Sequence, residues 1–218
     1  IRTVLSANEI EVTDMSKKIS RKAIVAIVAV IAIIAVVGGS LAWFVTQTSK
    51  SQSFILSGIK TSAYVYFANG KNNVDAEPYK DENGLYTLSL NKDDENYVGK
   101  LKVIVYRSGA VCRLRVKTAF EWQLADGSVS QFTTDVPYIF NAQWYDNRSE
   151  DYCVYYMGND RSGKAADNTI YLINSFDESK FDISGVEDGT TVKALIEVDA
   201  VQTNRYPQLW NIEKLPWE

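Results

Sequence analysis

The chain has 218 residues and a net charge of -4, a length that suits one domain or at most two small ones. Its composition, 46% hydrophobic and 23% charged, is that of a globular protein. Histidine is absent and there are two cysteines, which removes Ser-His-Asp and Cys-His nucleophiles, most zinc enzyme sites and any disulfide framework. The acidic balance also argues against a nucleic-acid binder working through a basic field, and no cofactor is called for.

Residues 1–14 lack an initiator methionine and read as upstream sequence, not part of the fold. Met15 opens a stretch with a cationic cluster, Lys17, Lys18, Arg21 and Lys22, followed by an unbroken apolar run over 23–37 and then Gly38-Gly39-Ser40-Leu41-Ala42. This is the order of a signal peptide. Residues 15–42 are therefore expected to be cleaved between Ala42 and Trp43, with Ser40 and Ala42 as the small side chains a signal peptidase reads. A retained membrane anchor is the alternative. The run is short of the roughly 20 residues that span a bilayer, but continuing it to Val45 reaches that length. A core helix would have to be covered on all sides. A type IV pilin leader would need a small residue then Phe at the cleavage point and an early Glu, and has neither here.

Cleavage would free Trp43, Phe44, Val45, Thr46, Gln47 and Thr48, a strand-forming end with no charged side chain. Such an end aggregates unless it pairs. It either docks as a donor strand on a neighbouring subunit or folds back on its own domain. Residues 43–52 form this segment and a polar linker, and 53–218 the folded domain.

From position 53 onward the pattern has period two. Strands are expected at 53–67, 85–90, 101–105, 112–122, 130–140, 152–157, 168–174 and 192–202, separated by turn clusters such as Asn69-Gly70 and Asp126-Gly127. No segment of helical length after position 50 carries a helical stripe. The fold class predicted is all-β, a two-sheet antiparallel β-sandwich of jelly-roll or Ig-like type behind an N-terminal signal or transmembrane helix. Leu114, Val116, Phe120 and Trp122, with Val192, Ala194, Ile196 and Val198, should point between the sheets. Arg113, Arg115 and Lys117 should form the wet face of their strand, or pair across strands. On that reading Arg113→Ala and Lys193→Ala should cost little.

Chemistry is sparse. Asp93-Asp94-Glu95, Asp146 with Glu150-Asp151, and Glu187-Asp188 lie in predicted loops, where solvated surface charge competes with a calcium site. A glycosidase carboxylate pair would need a cleft that sequence does not show. Tyr152, Tyr155 and Tyr156 with Trp144 and Tyr145 could stack sugars or bases, or equally line a core. A disulfide between Cys112 and Cys153 and a pair of buried free thiols are both open.

The leader's end, Gly38-Gly39-Ser40-Leu41-Ala42-Trp43-Phe44, resembles that of the TasA/camelysin family, exported proteins of Gram-positive bacteria processed by a SipW-type signal peptidase. The resemblance continues at Val111-Cys112-Arg113-Leu114-Arg115-Val116-Lys117 before Trp122, at Tyr152-Cys153-Val154-Tyr155-Tyr156 before Gly163, and at Ile196-Glu197-Val198-Asp199-Ala200-Val201-Gln202 before Trp210. It implies a jelly-roll-like secreted domain, a cell-surface or biofilm-matrix subunit whose freed segment completes a neighbour's sheet. Its partners would be its own copies or other matrix proteins, with signal peptidase during export and the membrane only through the leader. Some members are classed as metallopeptidases, but no His-Glu-x-x-His stands here to carry that activity. The expected protein is a non-enzymatic structural one. A secreted hydrolase and a monomeric anchored binding module are the alternatives.

Overall fold

Alternating apolar and polar side chains are satisfied by an extended chain that turns one face to a core, and the computed structural model places eleven strands among the residues it describes. It describes residues 58–132 and 134–218. The strands are β1 (Ile59–Asn69), β2 (Asn72–Asp75), β3 (Tyr86–Ser89), β4 (Leu101–Gly109), β5 (Cys112–Gln123), β6 (Tyr138–Phe140), β7 (Trp144–Asn147), β8 (Cys153–Tyr156), β9 (Thr169–Tyr171), β10 (Ile173–Phe176) and β11 (Thr191–Gln202). Among the described residues helix is confined to α1 (Arg148–Asp151), α2 (Tyr206–Trp210) and three single 3-10 turns. Among the described residues no helix is long and apolar enough to cross a membrane. The fold is all-β.

Two antiparallel sheets carry most of the described strand residues, in the orders β2-β1-β4-β9 and β3-β11-β5-β8-β7; β6 and β10 pair separately. β5 and β11 pair along their full length, from Thr191 opposite Gln123 to Gln202 opposite Cys112. Leu114, Val116, Trp122, Val192 and Ala194 are buried on one face of this pair, while Phe120, Ile196 and Val198 are half-buried against the same core. Val65, Phe67, Leu101, Val103 and Val105 from the first sheet enter that cluster too. One core therefore serves both sheets.

Several elements differ from the expectation. The strand predicted over 168–174 divides at Leu172, with β9 in the first sheet and β10 paired with β6. Of 130–140 only β6 is a strand; Pro137 lacks an N–H to give a ladder, and the Thr134 carbonyl accepts instead from Trp122 Nε1 at 3.0 Å. The short strands β2 and β7 were not anticipated.

The turn between β4 and β5 depends on Gly109, which has φ +91° and lies against Gly58. A Cβ there would run into the Gly58 carbonyl. Gly109→Ala should cost more than the roughly 1–3 kcal/mol of a strained backbone. Gly127, at φ +84° with open space around it, should show the backbone cost alone when changed to Ala. Urea melts of the two variants check this: equal losses would mean that the clash relaxes freely.

Candidate functional site

On one flank, parts of both sheets have no neighbouring strand among the described residues. β1 pairs with β4 over Ile59–Phe67 but with β2 only over Tyr66–Asn69. Among the described residues no strand neighbours β1 on that side from Ile59 to Tyr64. Ala76 N–H donates to the Val65 carbonyl at 3.1 Å, so alternation turns the backbone groups of Ile59, Thr61 and Ala63 toward the open edge. β11 repeats the arrangement, since β3 covers it only over Thr191–Ala194. From Leu195 to Gln202 no described strand lies on the β3 side. β1 comes close to β11 across the core, which puts both bare lengths on the same flank. Ile59 and Ala63 on β1, and Ile196, Val198 and Ala200 on β11, are half-buried against the core. An added strand would find unpaired backbone groups and partly exposed apolar side chains together.

The cleavage residues Ala42 and Trp43 and the donor segment Trp43, Phe44, Val45, Thr46, Gln47 and Thr48 lie outside the described residues.

Cys112 and Cys153 are free thiols, and the disulfide between them is not formed. Cys153 sits opposite Lys117, five residues along β5 from Cys112, about 17 Å at strand rise. The two also face opposite ways, Cys112 into the shared core and Cys153 into a second cluster on the outer face. Burial pushes the Cys153 thiol up to about 12, despite Arg115 nearby, and raises Cys112 as well. Both are protonated at neutral pH and neither is an activated nucleophile.

Two of the three carboxylate loops resolve into local ties. Asp94 accepts from Ser89 Oγ at 2.5 Å and Asn91 Nδ2 at 3.3 Å. Asp146 takes both Nε and Nη2 of Arg148 at 2.9 and 3.0 Å, and Asp151 accepts from the Tyr155 hydroxyl and from Cys153 N–H. Among the described residues no three His, Cys, Asp or Glu side chains converge as a metal site.

The basic row on β5 is not a wet face. The chain after β11 folds over it, burying Trp210 with Cys153, Tyr155 and Val201. Arg115 donates to Asp199 Oδ2 from Nε and Nη2 at 3.0 and 2.9 Å, and its guanidinium lies 4.8 Å from the Trp210 ring. Lys117 pairs with Glu197 at 4.0 Å, so the cross-strand pairing holds while the solvation does not. Arg113 donates to the Ser162 carbonyl and lies over Tyr206. Lys193 reaches Thr87 Oγ1 at 2.7 Å and Asp81 at 3.3 Å. Arg113→Ala and Lys193→Ala therefore each remove part-buried hydrogen bonds and should cost about 1 kcal/mol.

The aromatic run around Tyr155 is core on both faces. Tyr156 and Trp144 are buried in the shared cluster, Tyr155 in the second one, and Tyr152 is exposed. The aromatic surface lies elsewhere, on the outer side of the first sheet. Tyr64 and Tyr66 of β1 stack at 5.4 Å, and Tyr106 of β4 lies 6.4 Å from Tyr64. Tyr171 of β9 stands beyond Ile104, which faces outward yet is 8% exposed. Burial and the nearby phenols of Tyr171, Tyr64 and Tyr106 raise the Tyr66 hydroxyl. Next to these rings an open depression of about 400 Å³ is lined by Lys60, Thr61, Ser62, Tyr106, Arg107, Ser108, Asn168 and Thr169. The outward tyrosines of β1 were visible in the alternation Ser62-Ala63-Tyr64-Val65-Tyr66-Phe67; their grouping with Tyr106 and Tyr171 depends on strand order.

Comparison with protein-family models, with curated proteins and with solved structures gave no match.

Proposed function

We propose that the chain is an exported, non-catalytic β-sandwich protein of the cell surface or extracellular matrix, whose subunits join by strand addition. In this reading the two sheets form a jelly-roll-like sandwich, as the resemblance to TasA/camelysin proteins implies. The observation that carries the proposal is this flank, where β1 from Ile59 to Tyr64 and β11 from Leu195 to Gln202 lack a described neighbour on one side. Residues 43–48 supply the sequence such an edge takes: uncharged, aromatic and β-branched, with strand-forming side chains. Donation from one subunit to the next is a heterologous contact, and repeated without closure it gives a filament.

Export rests on the leader alone. Cleavage after Ala42 should leave Trp43 as the first residue of the released protein, which intact-mass measurement reads directly. Ala42→Leu should block processing and keep the chain on the membrane. Unchanged processing of that variant would move the cleavage point elsewhere.

Deletion of residues 43–48 from the released protein tests the assembly. Filaments in negative stain should disappear while the domain still melts cooperatively. If the deletion unfolds the domain, the segment belongs to its own core and the donor reading fails. If filaments persist unchanged, the segment has no part in assembly.

A further inference from the structure

The tyrosine face and its depression share residues 60–62 of β1 with the open backbone edge but have their own chemistry. The outer positions of the first sheet run in rungs: Lys60 opposite Ser108, Ser62 opposite Tyr106, Tyr64 opposite Ile104, and Tyr66 opposite Lys102. β9 extends two of these rungs with Thr169 and Tyr171, and β2 closes the last with Asp75. Rungs on one face are about 6.8 Å apart, a spacing comparable to the length of a hexose. Tyr106 and Tyr171 are 42% and 54% exposed, so their ring faces are open to a flat ligand.

The charge is as specific as the shape. The depression is lined by two cations, Lys60 and Arg107, and by no carboxylate, in a chain whose net charge is -4. Arg107 spends its N–H groups on the carbonyls of Asp167, Gly109, Ala110 and Ala166 and on Asn168 Oδ1. None of those partners is a carboxylate oxygen, so its charge stays uncompensated by them beneath the depression. Lys60 is exposed at the rim. Ser62, Ser108, Thr169 and Asn168 add hydroxyl and amide groups that can both donate and accept. Stacking faces, two-way hydrogen-bonding groups and a local cationic field together fit a polyhydroxylated chain that bears anions.

We propose that the outer face of the first sheet binds an acidic polysaccharide, with sugar rings on Tyr64, Tyr66, Tyr106 and Tyr171 and an anionic substituent at Lys60. A protein partner would be expected to meet a more apolar centre, whereas here the one outward aliphatic side chain in the middle, Ile104, is already covered.

The test is affinity electrophoresis of the full chain in gels containing polygalacturonate, a polymer of glycerol phosphate, or neutral dextran. Retardation is expected in one or both anionic gels and not in dextran; the gel that retards identifies carboxylate or phosphate as the anion. The double variant Tyr106→Ser, Tyr171→Ser should weaken retention by about tenfold or more, and Lys60→Glu should weaken it and flatten its salt dependence. Tyr152→Ser, at an exposed tyrosine away from this face, should leave it unchanged. Urea midpoints of all variants check that the fold is kept, which the exposure of these side chains predicts. No retention by either anionic polymer, or equal retention of wild type and the tyrosine double variant, overturns the proposal. So does tighter binding of oligodeoxythymidine than of either polymer. A change of oligomeric state in the double variant without a change in retention would assign the face to a second copy of the chain instead.

Discussion

Trp122→Ala is expected to lower the unfolding free energy by roughly 3–5 kcal/mol, the range for removing a large buried aromatic side chain. Trp122 is 4% exposed and lies opposite Val192 in the long β5–β11 pairing. Its ring meets Phe132 edge-on with centroids 4.6 Å apart and stacks near Phe181 at 6.0 Å. Those two rings come from loops outside the sheet, so Trp122 fastens them to it. Truncation would open a cavity beside the Phe132 and Phe181 rings and leave the Thr134 carbonyl without the indole N–H that reaches it at 3.0 Å. Trp122→Phe keeps most of the packing and loses that hydrogen bond, so it should cost less, about 1–2 kcal/mol. Urea unfolding followed by far-UV circular dichroism ranks the two. A loss below about 1 kcal/mol for the alanine variant would place Trp122 outside the cooperative core.

Arg107→Met should be comparably damaging, at about 3 kcal/mol. The side chain is 6% exposed and its bonds run to backbone rather than to an acid. Nη1 donates to the Gly109 and Ala110 carbonyls at 2.9 and 2.8 Å, Nε to the Asp167 carbonyl at 3.1 Å, and Nη2 to the Ala166 carbonyl and Asn168 Oδ1. One guanidinium thus ties the β4–β5 turn to the loop that leads into β9. Methionine fills similar space and leaves those acceptors unpaired. Arg107→Lys should recover little, because an ammonium cannot reproduce the planar fork. Hydrogen exchange localises the effect: protection should fall first in residues 165–169 and at the β4–β5 turn. Unchanged exchange there, with stability within about 0.5 kcal/mol of wild type, would show that water replaces the guanidinium.

What could be read from residues alone follows the range of the interactions involved. Cys112, Leu114, Val116 and Trp122 alternate strictly, and so do Val192 and Ala194, because each strand buries one face whatever lies opposite. That local rule located both long strands and their core sides. It failed for the reverse face of the same strands. Arg115 and Lys117 look like solvent-facing charges, and nothing near them in sequence announces that Tyr206 and Trp210, some ninety residues later, fold across. Leu195 and Val201, apolar residues on that reverse face and buried there, were the signal. Leu172 shows the other limit: a continuous apolar stretch can cross from one sheet to another, and periodicity does not mark the crossing. The tyrosine face was half legible, since two of its rings alternate along β1 while the other two arrive from β4 and β9. The bare flank depends on how short β2 and β3 are, a matter of pairing rather than propensity.

The place of β11 in the strand order has a consequence for how the chain acquires its structure. β11 is the last of the described strands, yet it lies between β3 and β5 and is the only described strand that β3 pairs with. Residues 86–89 must therefore wait for residues 191–194 before their ladder can form. A chain stopped short of residue 191 lacks β11 from the five-stranded sheet, so the core beside Leu114, Val116 and Trp122 stays open next to β5, and Leu88 has no sheet to join. Ladders of such sequence separation make folding slow. The domain consequently stays open until residues 191–202 have been made, and closes as a unit once they are present.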